Sequence, residues 1–331
     1  MSDAITIDLP YQADASVVFE QLKHLPWAQL LDSCNYPGDT ARYDIVVAAP
    51  RSTLLYENHR CRQFDAQGQL IAEHADAFTL LQNTLAELPQ LQSPLPFCGG
   101  AVGYWSYDLL HISSIEDKRD NLQSLPEMAM GIYDWAVVID HQAKQTFLVG
   151  HDRQQLTELL PLFAEPVKTT TKASALKIDK LHVDKDPDSY RKDFQRIQAY
   201  LRDGDCYQVN YARCFTARYQ GEAWQSYKIL RKKNPVPFAA YLQLPFAKVI
   251  SCSPERFIQV RAETVLTSPI KGTRGRQQKT ELDSKARQAL VDSDKDRAEN
   301  LMIVDLLRND LGKSCIPGSI KVPSLFEVEA F

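Results

Sequence analysis

The sequence predicts an α+β fold built on antiparallel sheet, and three observations carry this. Short apolar or alternating runs, each of strand length, recur at residues 43–48, 101–107, 128–140 and 146–151. A second set at 238–244, 248–252, 256–261 and 264–270 follows with short connections, which favour an antiparallel meander over parallel crossovers. Between the two sets lie segments whose apolar residues fall at helical spacing.

Residues 1–163 read as a first α+β domain, with helices at 78–88 and 152–163 whose leucines share a face. Gly99 and Gly100, ahead of the strand at 101–107, permit close approach to a neighbouring strand. Residues 164–186 are polar, with consecutive Thr169, Thr170 and Thr171 and several lysines, and read as a linker. Residues 187–331 read as a second domain. It opens on an amphipathic helix at 187–203, where Tyr190, Phe194, Ile197 and Leu201 share a face and Gly204 stands at the C-cap. A strand at 206–219, a helix at 223–232 and the meander follow. The last element is a helix at 284–311, broken near 292–294. Its segment 301–307 is apolar almost all round, which predicts burial.

The 331 residues suffice for two domains, and 44% hydrophobic with 24% charged residues is an ordinary globular balance. The formal net charge is −4 and no Lys/Arg cluster stands out, which argues against a nucleic-acid or membrane surface. Seven cysteines, an odd number without CxxC spacing, argue against a disulfide framework or zinc site and for a reducing compartment. The N-terminus lacks a basic start followed by an apolar stretch, and no apolar run approaches a membrane span, so the protein reads as cytoplasmic. All seven histidines lie at or before His182. A reactive site in the second half therefore takes its general base from Lys, Glu, Asp, Tyr or Cys.

Four groups of residues carry candidate chemistry. Lys271, in Pro269-Ile270-Lys271-Gly272-Thr273, sits at a strand end beside a glycine, where a desolvated amine becomes a nucleophile. Glu255, in the Ser253-Pro254-Glu255-Arg256 link, is placed for general acid/base work. Asp292, Asp296 and Glu299 align on one face of a continuous helix, and oxygen-only ligands favour Mg²⁺ over zinc. Gln208 and Asn210 share a strand face and offer two amides to a polar substrate. Each has a plainer reading taken singly: a solvated turn lysine, a Pro-Glu turn paired with Arg256, an acidic stripe matched by Lys295 and Arg297, and edge-strand polarity.

In their order, GDCYQVN (204–210), SPERF (253–257), PIKGT (269–273) and DRAENLMIVDLLRNDLG (296–312) resemble the chorismate-utilising enzymes. That family includes anthranilate synthase, isochorismate and salicylate synthases and aminodeoxychorismate synthase component I. HLPWAQLLDS (24–33), ARYDIVVA (41–48), GGAVGYWSYDL (99–109) and MGIYDWAVVIDH (130–141) resemble the N-terminal region of the last of these. Two positions favour it. The anthranilate and isochorismate enzymes typically carry Ala at the position of Lys271, and the water-using enzymes carry Lys at that of Gln208.

The resemblance implies two antiparallel sheets packed as a sandwich and wrapped by helices, as in anthranilate synthase component I. It implies amination of chorismate, with Lys271 as nucleophile and Glu255 as general acid/base. Gln208, Gly272 and Thr273 contact substrate, Glu299 ligates Mg²⁺, and Asp296 is in or near that shell. Ser33, Thr40, Ala41, Arg42 and Tyr43, with Pro237, Phe238 and Ala239, resemble positions that bind tryptophan in relatives. The implied partners are chorismate, ammonia, a glutamine amidotransferase subunit in a heterodimer and a bound L-tryptophan. The family pattern continues past residue 331, so the resemblance implies a chain cut short, with residues 1–331 alone expected to be inactive and prone to aggregate. Anthranilate synthase component I, and a truncated binding protein that keeps the N-terminal pocket or the docking surface, are the competing expectations.

Overall fold

Burial alternates residue by residue through Ser52–Glu57, as successive side chains of a strand point to opposite faces. The computed structural model describes residues 2–37, 41–107, 109, 125–164 and 174–329. Thr40 and the Thr169–171 run lie outside the described residues. The chain gathers into two units, residues 1–167 with 230–331, and residues 168–229.

In the larger unit the strands are β1 (Ile5–Leu9), β2 (Gln29–Asp32), β3 (Tyr43–Val47), β4 (Ser52–Glu57), β5 (Arg60–Asp65), β6 (Leu70–His74), β7 (Gly100–Trp105), β8 (Met128–Tyr133), β9 (Trp135–Asp140), β10 (Gln145–Gly150), β11 (Phe238–Gln243) and β12 (Lys248–Ser253). They form a five-stranded sheet in the order β6-β5-β4-β8-β7 and a seven-stranded sheet in the order β12-β11-β2-β3-β9-β10-β1. Every pairing within these two sheets is antiparallel. Leu55, Tyr104 and Ala129 of the first sheet share a core with Leu31, Ala240, Leu242 and Val249 of the second, so the sheets pack face to face. Helices cover the outer faces. Helix α1 (Ala15–Leu22) sets Phe19 edge-on to Tyr241, with ring centroids 5.4 Å apart. Helix α2 (Ala77–Ala86) buries Ala77, Leu80 and Leu81 on Leu54, Tyr56 and Met130. The sandwich wrapped by helices is thus observed.

Several elements differ from expectation. The run at 128–140 is two strands in different sheets, because the chain turns at Asp134 and changes layer there. The helix at 152–163 splits into α3 (Arg153–Leu159) and a 3₁₀ turn, Leu160–Phe163, where Pro161 has no amide to continue the ladder. The meander resolves into separate hairpins, β11 with β12 and Gln259–Arg261 with Thr264–Leu266, since Pro254 and the following residues leave the ladder. The division at 163 and 187 is not the one seen. Residues 230–331 gather with the N-terminal region because β11 hydrogen-bonds to β2, Ala239 opposite Asp32.

The smaller unit holds the helix Pro187–Asp203, which the sequence places correctly. Asp186 caps its start, and Gly204 ends it at φ 81°. Within the expected linker, Lys177–Ile178 and His182–Val183 are short strands paired with Tyr219–Gln220 and Phe215–Thr216. Residues 206–214 form no strand, so Gln208 and Asn210 lose the shared face expected of them. No described helix is long and apolar enough to cross a membrane.

The sheet also buries an ion pair that ties stability to pH. Asp44 on β3 is 0% exposed, and one of its oxygens lies 2.6 Å from His141 Nε2. The other accepts the Ser33 amide at 2.6 Å. The hydrogen bond to Asp44 raises the His141 pKa above its usual 6.5 against the effect of burial. A raised folded-state value adds stability that is complete below about pH 6.5 and is lost as pH rises through the folded value. Denaturant unfolding across pH 6 to 9 should therefore show stability falling with pH more steeply than in His141→Gln. Equal slopes would mean His141 does not carry this linkage.

Candidate active site

Ser253 ends β12, and its side chain folds the next residues into a tight turn. Its hydroxyl accepts the Glu255 amide at 3.3 Å and donates to the Glu255 carbonyl at 3.2 Å. The turn aims the half-buried Glu255 carboxylate at the segment before Lys271, where Oε1 accepts the Ile270 amide at 3.2 Å. Lys271 Nζ donates to the Ile270 carbonyl, also at 3.2 Å. The two expected catalytic side chains are thus anchored on the two main-chain polar groups of one residue. Arg256 does not close a turn pair with Glu255. Its guanidinium lies 4.7 Å over the Phe238 ring.

Gly272 follows with φ 74°, a left-handed conformation open to glycine. A Cβ there would stand 3.0 Å from the Asp296 side chain and from Leu290 Cδ1. Asp296 and Glu299 both lie on the helix Asp294–Gly312, and both are partly buried. Asp292 does not join them. It caps the preceding helix, Thr280–Val291, and accepts Gln288 Nε2 at 2.9 Å. The expected three-carboxylate stripe reduces to two because Ser293 starts a new helix. A hydrogen bond with Ser293, opposed by desolvation and reinforced by Arg274, holds the Asp296 carboxyl below the usual carboxylate value. Residues 301–307, expected to be buried, are at most half-buried: Leu301 and Leu306 are exposed, while Met302, Ile303, Val304 and Leu307 are half-buried.

Glu299 and Asp296 are the hard oxygen donors that Mg²⁺ accepts, but Arg274 already engages Asp296. Among the described residues no group of three His, Cys, Asp or Glu is placed to hold a metal ion. A carboxylate here is a donor of the type a hard divalent ion accepts beside water and substrate oxygens. Gln208 is exposed and belongs to the smaller unit; Thr273 is exposed, and its carbonyl accepts Arg274 Nη1 at 2.9 Å.

A second constellation lies at one end of β11, β2 and β3. Ser33 follows β2, Tyr43 opens β3, and Phe238 and Ala239 open β11 opposite Ser253 and Cys252. Ser33 is buried, and its hydroxyl is without a partner in the structure described. Ala41 is buried as well. Arg42 is engaged with Asp140, Nη2 to Oδ2 at 2.6 Å and Nε to both oxygens at 3.1 Å, and lies 4.7 Å over the Tyr43 ring.

Sequence reasoning missed the ion pair beneath this end of the sheet. Arg231 is 5% exposed and binds Asp32 through Nε at 2.6 Å and Nη2 at 2.9 Å, and Asp14 through Nη1 at 2.7 Å. Burial disfavours its charge, but Asp32 and Asp14 hold the guanidinium firmly protonated. In the sequence Arg231 looks like any member of a basic helix end with Lys232 and Lys233.

Residues 31–331 match the family of the chorismate binding enzyme, and the chain belongs to that family. It is similar to aminodeoxychorismate synthase component 1 of Klebsiella aerogenes, 43% identical over 98% of this chain and 72% of that one. The same-named protein of Escherichia coli K12 is 39% identical over 100% of this chain and 73% of its own. Among solved structures, anthranilate synthase component I of Streptococcus pneumoniae TIGR4 has a TM-score of 0.76 at 25% identity, over 89% of this chain and 67% of that one.

Proposed function

We propose that this chain is the component of an aminodeoxychorismate synthase that acts on chorismate, in the route to para-aminobenzoate. Ammonia comes from a glutamine amidotransferase subunit. One observation carries the reading: Lys271 and Glu255 converge on Ile270, in a chain 43% identical to a protein of that name.

The free amine of Lys271 adds at C2 of the ring. Both ring double bonds shift by one position, and the C4 hydroxyl leaves as water with a proton from Glu255. Ammonia then adds at C4, both double bonds shift back, the C2–Nζ bond breaks, and a proton passes from the incoming nitrogen to the departing lysine. The product keeps the enolpyruvyl group and carries its amine at C4. Gly272 and Thr273 are proposed substrate contacts, Gly272 by letting the ring approach the main chain. Glu299 would hold Mg²⁺, which when bound supplies charge neutralisation at the ring carboxylate.

A tryptophan molecule is proposed at the second constellation, lined by Ser33, Ala41, Tyr43, Pro237, Phe238 and Ala239. The buried, unpartnered Ser33 hydroxyl supports this reading. Arg42, engaged with Asp140, frames the pocket.

The likeness to an anthranilate synthase structure favours a second reading, which product analysis separates. The full gene product, given chorismate, ammonia and Mg²⁺, should yield aminodeoxychorismate by mass with no pyruvate released. Anthranilate with stoichiometric pyruvate would overturn the proposal.

A further inference from the structure

We infer that Arg274 and Asp296 form a latch fastening the Lys271 loop to the helix that carries Glu299, with Asp296 a positioning residue and not a metal ligand. The inference rests on the proposed roles of Lys271 and Glu299 and adds how the two are kept in register.

Four contacts converge on the latch. The loop backbone lies directly on the helix start, because a side chain at Gly272 would meet Asp296 and Leu290 at 3.0 Å. Arg274 Nη2 donates to Asp296 Oδ2 at 2.8 Å, while Nη1 donates to the loop's own Thr273 carbonyl at 2.9 Å. The Asp296 amide donates to Ser293 Oγ at 3.3 Å in the capped first turn, so the carboxylate stands on a defined part of the helix.

One planar guanidinium therefore grips both sides of the junction, a geometry that a point charge does not reproduce. A carboxylate with a guanidinium on one oxygen is a poor ligand for a divalent cation, since the two positive charges repel across it. Arg274 is 44% exposed and Asp296 13%, so the pair adds little to global stability. What it sets is the position of Lys271, which immediately precedes Gly272.

The test compares Arg274→Gln, Arg274→Lys, Asp296→Asn and the Arg274→Gln/Asp296→Asn double variant of the full gene product, with Glu299→Gln as the metal control. Arg274→Gln and Asp296→Asn should each lower kcat and kcat/KM together by roughly 10- to 100-fold, the scale of a misplacement near 1 Å. The double variant should be no worse than either single one, and Arg274→Lys should recover part of the loss. Amide hydrogen exchange at residues 270–275 should quicken in Arg274→Gln and Asp296→Asn without substrate, with little change in melting temperature. Half-saturating Mg²⁺ should stay put in both and rise in Glu299→Gln. A rise in Asp296→Asn alongside Glu299→Gln, but not in Arg274→Gln, would make Asp296 a metal ligand. Additive losses, or unchanged exchange at 270–275, would remove the latch. Quickened exchange and coupled losses with no adduct on wild-type Lys271 would leave the latch standing and reject the nucleophile.

Discussion

Replacing Lys271 by alanine is expected to abolish the covalent adduct with chorismate and lower kcat by roughly 10³-fold or more, about 4 kcal/mol of barrier. The side chain is half-buried and donates to the neighbouring carbonyl of Ile270. Its removal takes away the nucleophile without opening a large cavity. Glu255 stays anchored on the Ile270 amide, and the Gly272 turn stays on Asp296, since neither contact uses the lysine. Mg²⁺ dependence and fold should therefore persist while chemistry stops. Residual turnover would come from ammonia attacking directly, without the covalent detour. Quenching the wild-type reaction within one turnover and mapping the added mass to the peptide containing Lys271 is the direct check. An adduct on another residue, or wild-type turnover by Lys271→Ala, would end this assignment.

The second large effect is on folding. Arg231→Met should destabilise the larger unit by about 3–5 kcal/mol, the usual cost of removing one partner of a buried ion pair. The Asp32 side chain is 0% exposed and receives two hydrogen bonds from the guanidinium. Without them the buried carboxylate loses its guanidinium, and the Cys34 amide at 2.7 Å is a neutral donor that does not replace that charge. Asp14 is 40% exposed at its side chain, so Asp14→Asn, which keeps the cap on Ser16, should cost under about 1 kcal/mol. Arg231→Met with Asp32→Asn should recover much of the loss, because no charge is then stranded. Urea midpoints of the four proteins decide this. An Arg231→Met midpoint within error of wild type would show that the pair is not worth what its burial implies.

This arrangement bears on the proposed tryptophan pocket. Asp32 immediately precedes Ser33, whose amide binds Asp44, which in turn binds His141. The strand end that presents the Ser33 hydroxyl is thus held by two buried carboxylates. A pocket built on side chains locked in this way presents its polar group without reordering.

What the residues determined alone was local. Asp186 and Gly204 bounded a helix because a cap and a left-handed stop act within a turn of the chain. The break before Asp294 followed from Ser293 in the same way. The motifs around Glu255, Lys271 and Glu299 pointed to chemistry only as an ordered set resembling a family, since each short run taken singly has a plainer reading. The tertiary structure decided the rest, wherever the deciding partner was far off in sequence. Two β-prone runs on either side of Asp134 joined different sheets because each found its neighbours elsewhere, β8 beside β4 and β9 beside β3. The apolar run at 301–307 was left at most half-buried because hydrophobicity favours burial but does not supply a covering surface. Arg231 was buried because Asp32, 199 residues away, was already committed to the core, and a charge enters low dielectric only where another waits for it.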